Sequence, residues 1–105
     1  MDLEEASTSF DLQDLQPFLE RIARILDAGF TDREILDIKR LAGVMALDAE
    51  ETLEFRVQYR GRTIPLRITI FMDDLAAPDV YFFTDPGLAQ EINREMQQFA
   101  EEQGV

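Results

Sequence analysis

Thr52-Leu53-Glu54-Phe55-Arg56-Val57-Gln58-Tyr59-Arg60-Gly61-Arg62-Thr63-Ile64-Pro65-Leu66-Arg67-Ile68-Thr69-Ile70 is the stretch that decides the fold. Apolar and polar residues alternate on both sides of Arg60-Gly61, which is the period of a strand with one buried face. Leu53, Phe55, Val57 and Tyr59 share one face of the first strand, and Ile64, Leu66, Ile68 and Ile70 share one face of the second. A two-residue Arg60-Gly61 turn makes the pair a hairpin. That turn sets Phe55 opposite Leu66, Val57 opposite Ile64, and Glu54 opposite Arg67, a favourable cross-strand charge pair. Pro65 lacks an N–H, so its strand must be an edge there or bulge.

Downstream, Asp73-Asp74-Leu75-Ala76-Ala77-Pro78-Asp79 reads as a loop leading to a short apolar strand, Val80–Phe83. Asp85-Pro86 then reads as the N-cap and first residue of a helix, with Leu88, Ile92, Met96 and Phe99 on its inner face and Gly104 at its end. Upstream, Leu15, Phe18, Leu19, Ile22, Ile25 and Leu26 recur at helical spacing. Pro17 restricts that helix to a start near Asp14, and Gly29 reads as its left-handed cap. The next helix opens with a full capping box, Thr31 with Glu34, and a staple of Phe30 with Ile35. Its buried face is Ile35, Ile38, Leu41 and Ala42, and Gly43 marks its end.

These elements predict an α+β domain over residues 11–105 in the order ααβββα: an N-terminal helical hairpin, a three-stranded, mainly antiparallel sheet, and a C-terminal helix. Residues 1–10 read as a flexible acidic tail. One hydrophobic core suits a chain of 105 residues that is 46% hydrophobic.

Charge divides the chain into three. Residues 1–51 carry 13 acidic and 5 basic side chains, residues 52–72 carry Glu54 against Arg56, Arg60, Arg62 and Arg67, and residues 73–105 carry 8 acidic against Arg94. The formal net charge is −12. Such a field repels nucleic acid and anionic membrane. The segment Ala28–Ile35 has the tight glycine turn of a helix-turn-helix, but Asp32-Arg33-Glu34 at the start of the second helix is the wrong charge for reading DNA. Acidity of this kind also serves solubility alone.

Cysteine and histidine are both absent. Disulfides, thiolate metal sites and the commonest general base go with them. No phosphate-binding glycine loop or nucleophile elbow is present, so the chain reads as non-catalytic, with no cofactor. Asp73, Asp74 and Asp79 lack the ligand spacing of a calcium loop, and no metal site is assigned. The N-terminus lacks the basic start and apolar run of a signal peptide, and no apolar stretch is long enough to span a bilayer, so a cytoplasmic location is expected.

What remains is binding. Arg56 and Arg67 fall on the face of the hairpin opposite its apolar residues, and Arg60 and Arg62 flank the turn. Phe71, Tyr81 and Phe83 point away from the helix-covered face and call for a cover, which the last helix, the N-terminal segment or a second subunit would provide. These seven residues form the expected partner-binding set. The expected function is a small acidic protein-binding or regulatory module whose partner is a protein or a second copy of itself. An alternative is an acidic decoy that imitates nucleic-acid phosphate, using Asp27, Asp32, Glu34 and Asp37 with Glu91, Glu95, Glu101 and Glu102. A further alternative is a secretion-type chaperone, a class that is also small, acidic and dimeric.

Overall fold

A computed structural model describes residues 2–104. Strand β1 (Glu4–Ser9) is followed by a short 3-10 turn, Leu12–Asp14, then helices α1 (Leu15–Ile25) and α2 (Asp32–Val44). Strands β2 (Glu50–Tyr59), β3 (Arg62–Phe71) and β4 (Asp79–Thr84) come next, and α3 (Pro86–Gln103) closes the fold. The sheet has four strands in the order β1-β4-β3-β2, every neighbouring pair antiparallel. The α+β class therefore stands, but the sheet has one more strand than the three expected, and β1 precedes the helices.

The additional strand lies within residues 1–10, the segment read as the N-terminal tail. Glu4-Glu5-Ala6-Ser7-Thr8-Ser9 has no apolar alternation because it is an edge strand that buries a single side chain, Ala6, against the core. Its pairing with β4 is made by backbone groups, which leave no signature in side-chain chemistry. Charged and hydroxyl residues are common on such edges because they discourage uncontrolled strand addition.

The hairpin register follows the alternation. Glu54 pairs with Arg67, Phe55 with Leu66 and Val57 with Ile64. Arg60 and Gly61 both have positive φ, 50° and 76°, as a two-residue type I′ turn requires. Pro65 resolves as a local edge: β4 ends at Thr84 opposite Leu66, so no strand faces Pro65 on that side. Its carbonyl accepts instead from the Thr84 hydroxyl at 2.7 Å.

One face of this sheet is the floor of the core. Ala6, Val57, Tyr59, Ile64, Leu66, Ile68, Ile70, Val80 and Phe82 are buried beneath Phe18, Leu19 and Ile22 of α1, Ile35 and Ile38 of α2, and Leu88, Ile92, Met96 and Phe99 of α3. The ring of Phe18 lies 4.6 Å from Phe10, 5.5 Å from Phe99 and 6.0 Å from Phe82, linking the N-terminal segment, α1, α3 and the sheet. Rings at these separations gain attraction beyond area burial alone.

The caps hold where polar geometry is local. Thr31 Oγ1 accepts from the Glu34 amide at 3.2 Å, and Glu34 Oε1 accepts from the Thr31 amide at 3.0 Å. Asp85 caps α3 through the Gly87 amide at 3.0 Å, with Pro86 in the first turn. Two glycines act otherwise than expected. α1 stops at Ile25, four residues before Gly29, and Gly43 lies inside α2.

Gly29 instead permits a close approach. The chain at Asp27–Ala28 runs against β2, where the Asp27 amide donates to the Gln58 carbonyl at 2.7 Å and the Gln58 amide donates to the Ala28 carbonyl at 2.8 Å. Gly29, at φ 99°, sits so close that a Cβ would lie 2.7 Å from the Arg56 carbonyl oxygen and 2.8 Å from Val57 Cα. Backbone on both sides cannot yield. Gly29→Ala is therefore expected to cost at least about 2 kcal/mol in denaturant unfolding. Gly43→Ala, in a helical conformation with nothing within 4 Å of its Cβ, should instead stabilise by about 0.5 kcal/mol.

Candidate functional site

All three helices pack on the same face of the sheet, and among the described residues no element covers the opposite face. The residues on it follow from register and alternation. Phe83, Arg67 and Glu54 form one cross-strand row with Glu5 of β1, and Tyr81, Thr69 and Thr52 form the next with Ser7. At the ends lie Arg56 beside Pro65, and Glu50 beside Phe71 and Asp79.

Five of the seven expected partner-binding residues share this open face: Arg56, Arg67, Phe71, Tyr81 and Phe83. The three aromatic residues are half-buried by their neighbours. The rings of Tyr81 and Phe83 stack, 6.4 Å apart and 11° from parallel. Thr69 is buried between them and β2, and its hydroxyl hydrogen-bonds that of Thr52 at 2.9 Å. Arg67 Nε donates to Glu54 at 3.1 Å, the cross-strand pair anticipated from the hairpin. Both side chains are about half exposed or more, so the pair contributes little to stability. Arg56 is exposed and has no carboxylate partner among the described residues.

Neither the last helix nor the N-terminal segment covers these aromatics. α3 packs on the other face, and the N-terminal segment extends the sheet sideways as β1. Through β1 the open face acquires Glu5, Ser7 and Ser9, with Leu3 at its corner. A search for hydrophobic periodicity overlooks these because their place is set by β1–β4 pairing. Leu3, Arg56, Pro65 and Arg67 border a shallow depression of about 180 Å³ there. Ligand pockets are typically about 300–1,000 Å³.

Arg60 and Arg62 do not join this face. Arg60 binds Glu91 of α3 and lies over the Tyr59 ring at 5.2 Å. Arg62 reaches Asp85, the α3 cap, at 3.3 Å. The turn is held from a third direction by the Gly61 amide, which donates to Asp27 at 2.9 Å. Beneath it, the Tyr59 hydroxyl is buried without a hydrogen-bond partner among the described residues. Burial, with the Glu91 carboxylate second, pushes its pKa up. The two turn arginines, Arg60 and Arg62, thus clasp the C-terminal helix and its cap.

The acidic flanks are partly neutralised in the same way. Arg21 of α1 donates to Glu95 at 3.0 Å and to Glu102 at 2.6 Å, and its guanidinium lies 5.6 Å from the Phe99 ring centre. The Glu102 hydrogen bond is the largest contribution raising its pKa. Among the acids assigned to a decoy surface, Asp27, Glu34, Glu91, Glu95 and Glu102 all accept hydrogen bonds within the chain. In the 73–79 loop, Asp74 accepts from the Ala76 amide at 2.9 Å. Among the described residues no three acidic side chains converge as cation ligands, and no helix is long and apolar enough to cross a membrane.

Asp79 sits half-buried at the acidic end of the open face. Burial, then the neighbouring Asp73, raises its pKa from the ordinary aspartate value. The folded protein holds this proton more tightly than the unfolded chain. The resulting stability is fully present below about pH 4 and is lost as pH rises through the folded pKa. Asp79→Asn is expected to melt higher than the parent at pH 7, with the difference shrinking below about pH 4 in parallel thermal scans. Comparison of the chain with protein-family models, with curated proteins and with solved structures finds no match.

Proposed function

We propose that this chain is a protein-binding module that engages its partner through the open face of the sheet. The observation that carries the reading is the one-sided placement of the helices. It leaves the stacked pair Tyr81 and Phe83 near the middle of a face that no described element covers, with Phe71 toward its Glu50–Asp79 end and charged and hydroxyl side chains around them. An apolar, aromatic centre inside a polar rim is the usual anatomy of a protein interface. The depression at its corner is small for a cofactor or metabolite, and that favours a macromolecular ligand.

The geometry favours this reading over the acidic decoy. A decoy needs rows of uncommitted carboxylates, whereas five of the eight acids assigned to it already serve the helix cap, the hairpin clasp or the Arg21 bridge. Charges engaged in this way present less field to an outside cation.

A photo-crosslinking residue placed at position 81 in the intact chain, expressed in its native host, tests the reading. The control position is Val44 on α2, 81% exposed and on the helical side. Adducts with protein from position 81, absent from position 44, are the expected outcome. Equal labelling from both positions, or none from position 81, would overturn the assignment of the open face.

A further inference from the structure

The open face is complementary to itself. Along the middle of the sheet, on the helix side, runs the row Ala6, Phe82, Ile68 and Leu53. Flanking it on the open side are the rows Glu5-Phe83-Arg67-Glu54 and Ser7-Tyr81-Thr69-Thr52. A two-fold axis in the plane of the interface, running across the strands at this middle row, brings a second copy's open face onto the first. Strand order is kept and strand direction reversed, so each flanking row lands on the other.

The chemistry of that superposition is favourable at each position. Tyr81 meets Phe83 of the second copy, and Phe83 meets Tyr81. Arg67 and Glu54 meet the hydroxyls of Thr69 and Thr52, and Glu5 meets Ser7. One step further out, Pro65 meets Phe71, and Arg56 meets Glu50. Among the described residues Arg56 has no carboxylate partner and Glu50 no cationic one, so the rotation supplies what each lacks. No two like charges fall directly opposite within the paired strands; Asp79 lands just beyond the end of β4, at Asp85, whose carboxylate is turned away to Arg62 and the Gly87 amide. The register places every one of these pairs with a single symmetry operation, as an isologous interface demands.

We infer that the occupant of the open face is a second copy of this chain, in a face-to-face two-fold dimer with Tyr81–Phe83 pairs at its centre and Arg56–Glu50 pairs at its margin. This rests on the reading of that face as a protein-binding surface and names its partner. Four strands about 4.8 Å apart and seven residues at about 3.3 Å each give a contact of about 400 Å² per copy in plan. Stable complexes bury about 800 Å² per partner, so this dimer is a reversible one that dissociates on dilution.

Sedimentation equilibrium of the full chain from about 1 to about 500 µM tests it, over the range where so small an interface should titrate. The expected result is a rise from the 12.1 kDa monomer toward twice that mass. Arg56→Glu and Glu50→Arg should each weaken association at least about tenfold, as a close charge pair at an interface does. The double variant, with the charges exchanged, should recover it. Both side chains are exposed in the monomer, and circular dichroism verifies that each variant folds. Monomer at every concentration overturns the dimer, as does a dimer indifferent to both single changes or a double variant that fails to recover. A monomer that nevertheless crosslinks another protein from position 81 overturns self-association alone and leaves the binding face standing.

Discussion

Strand β3 is the constraint on which the rest depends. Ile64, Leu66, Ile68 and Ile70 are each at most 1% exposed, and the strand is paired on both sides. Once these four side chains point toward the helices, the period of two sends Pro65, Arg67, Thr69 and Phe71 the other way. β2 and β4 are bound to β3 by continuous register, so their faces follow. A slip of one residue would exchange the faces, exposing the isoleucines and burying Arg67 without a partner, and burial of an apolar side chain is worth about 1.5–3 kcal/mol. The two-faced sheet is therefore strongly specified.

The helices satisfy only one of those faces. α1 and α3 meet through the Phe10, Phe18 and Phe99 rings, and Arg21 ties them at the surface by reaching two glutamates of α3. The hairpin turn is drawn to the same side by Arg60, Arg62 and the Gly61 amide. Four of the five ion pairs among the described residues thus lie on the helical side or at the turn. The exposed Arg56 and Glu50 and the Tyr81–Phe83 pair lie on the opposite face, where among the described residues neither Arg56 nor Glu50 has an ion-pair partner.

Much of this was legible from the chain alone. The Arg60-Gly61 hairpin, the Glu54–Arg67 pair, the Thr31–Glu34 box and the buried stripe Leu88, Ile92, Met96 and Phe99 all arise from interactions between residues close in sequence or fixed by a tight turn. β1 was not legible, because an edge strand that buries only Ala6 carries no periodic signal. Gly29 reads as a helix cap in the sequence because its actual requirement comes from the backbone of Arg56 and Val57, distant along the chain. The candidate face was half visible. Alternation places Phe71, Tyr81, Phe83, Arg56 and Arg67, but a charge count ignores direction and groups Arg60 and Arg62 with them.

The sequence by itself determined which residues alternate, where the helices start, and that the aromatics of β4 divide between two faces. Those properties are local, set by backbone period, turn conformation and caps. Only the tertiary structure decided that β1 joins β4, that all three helices share one side, and that the turn arginines fold back onto α3. Each of those outcomes depends on backbone pairing or ion pairing between segments tens of residues apart. Such contacts are chosen by the packing of the whole core, and no short window of sequence contains both partners.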